Sequence, residues 1–132
     1  MIDHLDHIVL TTAKETECID FYTRVMGMQL DYFLAEDSAV ERKAFKFGNQ
    51  KINLHIKGKE FEPKADFPTP GSLDLCFIAD RPLIDVIAKL KHEQWPIIEG
   101  PVIRTGATSR INSVYLRDPD HNLIEISEIL GK

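Results

Sequence analysis

The chain has 132 residues, of which 43% are hydrophobic and 28% charged, with a formal net charge of −5. That length suits one domain with a single core. The acidic balance excludes nucleic acid as the main partner, since neutralising phosphates needs clustered Lys and Arg. No apolar run approaches the roughly 18 residues of a membrane span, and from Met1-Ile2-Asp3-His4 no signal peptide is expected. A cytoplasmic location without membrane attachment is expected. Cys18 and Cys76 lack the short spacing of a zinc knuckle or a disulfide framework, and read as two reduced thiols.

In chain order, residues 5–12 read as a strand, with His7, Val9 and Thr11 on one face and Ile8 and Leu10 on the other. Thr16-Glu17-Cys18 opens a helix in which Ile19, Phe21, Tyr22, Val25 and Met26 recur at helical spacing, with Gly27 as its stop. Residues 28–34, 41–47 and 51–56 read as strands, the last with Asn53 and His55 alternating against Ile52, Leu54 and Ile56. Residues 58–71, with three prolines and two glycines, read as a linker or extended arm.

The order then restarts. Residues 73–79 read as a strand, and Pro82 opens a helix carrying Leu83, Ile84, Val86, Ile87 and Leu90. Residues 95–98 and 100–102 lead into a further strand, and 104–110 form a polar loop around Gly106. Residues 111–117 and 123–129 are strands joined by the turn Asp118-Pro119-Asp120-His121-Asn122. Strand, helix and about three strands thus occur twice. Each half is small for a core of its own. The halves are expected to pair, within the chain or across a dimer, around a common cleft.

The repeat carries chemistry. Superposing the halves sets His7 against Asp74, 67 residues apart, and His55 against Glu125, 70 apart. All four are metal-ligand types on predicted strands. An ionisable side chain that alternates with core residues must point to solvent or into a polar cavity, because unpaired burial is costly. His7, His55, Asp74 and Glu125 are therefore the candidate donors for one divalent first-row metal. His4, His92 and His121 read as terminus, helix and turn residues.

Three stretches resemble the vicinal oxygen chelate superfamily, the glyoxalase, bleomycin-resistance and dioxygenase fold. They are Leu5-Asp6-His7-Ile8-Val9-Leu10, the helix Phe21-Tyr22-Thr23-Arg24-Val25-Met26-Gly27-Met28, and above all Arg117-Asp118-Pro119-Asp120-His121-Asn122-Leu123-Ile124-Glu125-Ile126. Within it the chain is most similar to the glyoxalase domain-containing protein 5 type, through Lys51-Ile52-Asn53-Leu54-His55, residues 58–64 and Pro70-Gly71-Ser72-Leu73-Asp74. The resemblance implies an α+β fold of two tandem βαβββ modules forming a cup-shaped mixed sheet. The single glyoxalase-like domain would span 1–132, with module one about 1–57, a linker about 58–71 and module two about 72–132. It further implies a homodimer, a small-molecule substrate, and a divalent ion (Ni, Co, Mn, Fe or Zn) held by His7, His55, Asp74 and Glu125. In the glyoxalase I pattern Glu125 would also move the proton.

Two departures from that pattern bear on substrate. Asp74 stands where His or Gln is common, and Thr11 and Lys59 stand where glyoxalase I binds glutathione. Arg24, Arg42, Arg104 and Arg110 are the cations an anionic substrate would meet, each otherwise a solvated charge. The leading expectation is a metal-dependent lyase or isomerase acting on a hemithioacetal or similar α-hydroxycarbonyl adduct. The alternatives are an extradiol-type dioxygenase with His7, His55 and one carboxylate on iron, a fosfomycin-type epoxide-opening enzyme, and a non-enzymatic binding or resistance protein.

Overall fold

The computed structural model describes residues 1–36 and 39–131. The chain divides into two compact units, Met1–Gly71 and Ser72–Lys132. In unit one, β1 (His7–Thr12) is followed by α1 (Glu15–Asp20), a π-helical turn (Phe21–Val25), β2 (Gln29–Leu34), β3 (Glu41–Phe47) and β4 (Gln50–Ile56). The sheet order is β1-β4-β3-β2. β1 and β4 are parallel, and the other pairs are antiparallel. A parallel neighbour needs a crossover. The helical segment is part of it, and its buried Cys18, Phe21, Tyr22 and Val25 fall on one stripe. They cover the sheet face that carries Leu10, Phe45, Ile52 and Leu54, all at most 3% exposed. Tyr22 stacks on Phe45 with ring centroids 5.0 Å apart. Lys43 Nζ reaches Glu15 at 2.7 Å, tying α1 to the same face. The segment ends at Gly27, whose φ of +77° is open to glycine without strain.

Unit two repeats the plan with β5 (Asp74–Ile78), α2 (Leu83–His92), β6 (Glu99–Thr105), β7 (Arg110–Arg117) and β8 (Leu123–Gly131), in the order β5-β8-β7-β6. β5 and β8 are parallel. Leu83, Val86 and Leu90 are the buried side chains of α2. The sheet supplies buried Val114, Leu116, Ile124 and Ile126. Each unit is thus a βαβββ module with a four-stranded mixed sheet, as the sequence pattern predicts.

Three details differ from the sequence reading. β6 begins at Glu99 and runs to Thr105, taking in Arg104 and Thr105 from the predicted loop. The β6–β7 register shifts between Glu99 and Val102. There Gly100, at φ +102°, lies so close to β7 that a Cβ would press on the Ser113 carbonyl oxygen and sit 3.0 Å from Val114 Cα. The helix of unit one relaxes to π geometry after Asp20.

A further difference concerns the repeat. His7 pairs with Lys51, and Asp74 pairs with Leu123, so these two first-strand residues are equivalent. Counting onward, Ile52-Asn53-Leu54-His55 matches Ile124-Glu125-Ile126-Ser127, and the burial pattern of the two strands agrees. The counterpart of Glu125 is Asn53, and that of His55 is Ser127. The superposition of His55 on Glu125 is corrected by two residues. A two-residue slip keeps every side chain on its face, so alternation by itself does not detect it.

Candidate functional site

The face of the unit-two sheet away from α2 is polar at its centre. The β5–β8 pairing sets Cys76 beside Glu125, and the β7–β8 pairing sets Tyr115 beside Glu125 and Ser113 beside Ser127. A cavity of about 570 Å³ opens over these residues, lined by Cys76, Arg104, Tyr115 and Glu125 together with Ile78 and Ile111.

Glu125 is held from below. Ser113 Oγ donates to Glu125 Oε2 at 2.6 Å, and Ser127 Oγ lies 3.4 Å from the same oxygen. The two hydroxyls are 2.7 Å apart, and both serines are fully buried. Neither hydroxyl addresses Oε1. The carboxylate is oriented by one edge, as a group that acts on a ligand requires. Cys76 Sγ joins the chain through Ser127 Oγ at 3.3 Å. Burial pushes the Cys76 thiol pKa up; the Ser127 hydrogen bond pulls it back, and the Glu125 charge raises it further. On the far side Arg104 Nε donates to Tyr115 Oη at 3.1 Å, and its guanidinium stands over the Tyr115 ring.

Asp74 opens β5 on this same face, two residues before Cys76. At the usual strand rise it is about 7 Å along the sheet from the level of Glu125. Its position is set by the turn that joins β7 to β8. Asp118 Oδ1 accepts from the N–H groups of Asp120 and Asn122, both at 2.9 Å, and Oδ2 accepts from Asn122 Nδ2 at 2.7 Å. Asn122 Oδ1 in turn accepts from Leu73 N–H at 2.9 Å, one residue before Asp74. The Asp118–Asn122 motif therefore docks the start of β5 onto the start of β8.

In unit one His7 is partly exposed, with Nδ1 2.8 Å from Asp6 Oδ2. A carboxylate that takes the proton of one ring nitrogen leaves the other as an acceptor, the arrangement common behind a metal-bound imidazole. His55 is elsewhere. It pairs with Thr11, four residues along β1 from His7, or about 13 Å at the parallel-strand rise. The structure does not bring these two histidines together. His55 is 6% exposed, and its ring stands roughly perpendicular to that of Phe61, with centroids 5.5 Å apart. The Arg42 guanidinium lies 4.3 Å from the face of the same ring. Burial lowers the His55 pKa, the Arg42 charge lowers it further, and Glu60 opposes both.

Among the described residues no group of three or more His, Cys, Asp or Glu side chains is gathered to hold a metal ion. By donor chemistry His7, Asp74 and Glu125 suit a divalent ion, a borderline nitrogen with hard oxygens. His55 suits it poorly, because the neighbouring guanidinium repels a second cation. Of the arginines named from sequence, Arg24 is committed to Asp20 in a helical ion pair, and Arg104 alone lines the unit-two cavity. Sequence reading missed Ser113 and Ser127. Ser127 lies two residues beyond Glu125 and was readable as a neighbour on its face. Ser113 needed the hairpin register.

A model of the Glyoxalase/Bleomycin resistance protein/Dioxygenase superfamily matches residues 4–126. A virulence protein of Salmonella typhimurium is 52% identical over 128 residues, covering 97% of this chain and 85% of that protein. Its crystal structure superposes with a TM-score of 0.91 at 51% identity, over 98% of this chain and 99% of that one. The glyoxalase domain-containing protein RDO1 of Mycosarcoma maydis is 52% identical over 123 residues, covering 93% of this chain and 66% of that protein. The lactoylglutathione lyase of Agrobacterium tumefaciens shares the fold, with a TM-score of 0.69 at 21% identity over 96% of this chain and 94% of that one.

Proposed function

The chain belongs to the Glyoxalase/Bleomycin resistance protein/Dioxygenase superfamily, and on that premise we propose that it is a metal-dependent, glyoxalase I-like lyase or isomerase. Its substrate is an α-hydroxycarbonyl or hemithioacetal adduct, such as that of methylglyoxal with a thiol. The observation that carries the reading is the Glu125 carboxylate at the floor of the unit-two cavity, pinned by Ser113 through one oxygen. Such a group, held within reach of a bound substrate, can take a proton from a carbon and return it to the next. In a hemithioacetal, Glu125 takes the proton from the carbon bearing sulfur and hydroxyl. It delivers that proton to the former carbonyl carbon while the hydroxyl proton passes to the former carbonyl oxygen, and the product is a 2-hydroxy thioester.

His7, Asp74 and Glu125 are the residues proposed to hold a divalent ion, which when bound stabilises negative charge developing on the substrate oxygens. Ser113 keeps Glu125 oriented. Arg104 and Tyr115 offer donors at the cavity wall, and Ile78 and Ile111 offer an apolar bed for the substrate's carbon skeleton. The glyoxalase domain of the Mycosarcoma maydis relative supports the same reading.

The test uses the full chain loaded in turn with Ni, Co, Mn, Fe and Zn and given a methylglyoxal–thiol adduct. Thioester formation is expected with at least one ion and is abolished in Glu125→Gln. Absence of turnover with all five ions refutes the proposal. Homodimerisation belongs to the same proposal, and a monomer by sedimentation with metal bound removes that part.

A further inference from the structure

We propose that Arg42, Asn53 and His55 form a subsite for a small oxyanion that carries a hydroxyl beside its charge, closed in this structure by Phe61. The site lies wholly in unit one and stands independently of the role given to Glu125.

The placement follows from register. Lys43 pairs with Leu54 and Ala44 with Asn53, so the next step along β3 brings Arg42 level with His55. Arg42, Asn53 and His55 share the sheet face opposite the one covered by the helix. Each carries a buried polar atom without a hydrogen-bond partner: Arg42 Nε, Asn53 Oδ1 and His55 Nδ1. Among the described residues these three make up the whole set of such side-chain atoms. Buried polar groups are almost always satisfied, because leaving one unpaired costs stability. Three orphans on adjacent strands, one belonging to a side chain only 6% exposed, are an unfilled set of hydrogen bonds.

The atoms define what would fill it. Arg42 Nε–H is a donor, and the guanidinium cannot lose its charge. His55 Nδ1 is a donor in one tautomer and an acceptor in the other. Asn53 Oδ1 is an acceptor. A carboxylate or phosphate oxygen accepts from Arg42 and His55, and a neighbouring hydroxyl donates to Asn53. A metal cation is disfavoured by Arg42. Glu60, whose charge acts on His55, accepts from the Gly58 N–H at 3.0 Å. Burial lowers the imidazole pKa, so the fixed positive charge of the site is that of Arg42.

Phe61 is the cover. It is half-buried in the irregular stretch between β4 and β5, its ring roughly perpendicular to that of His55 and its face under Arg42. The cation–π contact occupies the guanidinium that the anion would otherwise engage. Entry of a ligand therefore requires Phe61 to swing aside.

The experiment titrates the full chain with glycolate, acetate and inorganic phosphate, reading the His55 imidazole resonances by NMR. Saturable shifts are expected with glycolate and with phosphate. Acetate, which has no hydroxyl, should bind about fivefold more weakly than glycolate, the worth of one hydrogen bond. A preference of glycolate over phosphate assigns the site to carboxylates, and the reverse assigns it to phosphates. Phe61→Ala is expected to bind severalfold more tightly, Arg42→Gln at least tenfold more weakly, and Asn53→Ala to bind glycolate and acetate alike. Phe61→Ala removes a half-buried ring and tests the proposal even where Arg42→Gln fails to fold. The proposal is overturned if no anion saturates in either the native chain or Phe61→Ala, which would leave only water in the site. It is also overturned if a folded Arg42→Gln binds as the native chain does.

Discussion

Asp118→Ala tests whether the Asp118–Asn122 turn is what joins β5 to β8. Asp118 is 2% exposed and accepts three hydrogen bonds at 2.7–2.9 Å, two from backbone N–H groups and one from Asn122 Nδ2. Alanine removes all three. A buried donor left without an acceptor costs about 1–3 kcal/mol. Water reaches part of a turn, so two such donors set the scale, at about 2–6 kcal/mol. Against a total stability of about 5–15 kcal/mol that is a large share. Asp118→Asn is the control: it keeps an acceptor for both backbone N–H groups and loses only the contact to Asn122 Nδ2, so it should cost less than half as much. Equilibrium urea unfolding followed by Trp95 fluorescence is the assay. Trp95 Nε1 donates to Arg117 O at 2.8 Å, so the probe reports on this turn. A loss below about 1 kcal/mol in the alanine variant, against the 1–3 kcal/mol expected for each orphaned donor, would refute the reasoning. Equal damage from the two variants would refute it as well.

Gly100→Ala should destabilise unit two by about 2–4 kcal/mol, combining a left-handed φ with overpacking against β7; a drop below 1 kcal/mol in the same urea assay contradicts the close approach. His55 has a folded pKa below its ordinary value, so the unfolded chain binds the extra proton first. It favours folding fully above the unfolded value near 6.5, and that contribution is lost as the pH falls through the window down to the folded pKa. Stability measured from pH 7.5 to 5 should therefore fall less steeply in His55→Gln; an unchanged slope argues against a depressed His55. Cys76, its thiol pKa raised by burial and by Glu125, should react with a disulfide reagent at pH 8 more slowly than free cysteine, and faster in Glu125→Gln. Cys18 is fully buried and should react only on unfolding.

The order of elements was readable because two periods alternate cleanly along the chain. Cys18, Phe21, Tyr22 and Val25 keep helical spacing, and Ile52 and Leu54 or Ile124 and Ile126 keep the period of two. The boundary errors fall where local chemistry overrides pattern. The Gly100 bulge falls inside β6, and Arg104 and Thr105 are strand because β7 supplies their partners. Asp74 and Glu125 share one face because the β5–β8 pairing sets Cys76 beside Glu125 and Asp74 lies two residues before Cys76.

What alternation does not carry is position along the strand. The slip that set His55 against Glu125, in place of Asn53, preserves every inward and outward assignment. Only the hydrogen-bond register of β1 on β4 and of β5 on β8 distinguishes the two alignments. That register moved His55 away from His7 and into the company of Arg42 and Phe61. The amino-acid sequence by itself determined the two modules, their buried faces and the residue types offered by the opposite faces, because these depend on local periodicity. The tertiary structure decided which of those side chains meet, because strand pairing and the packing of Phe61 on β3 and β4 are contacts between segments that the local pattern leaves unlinked.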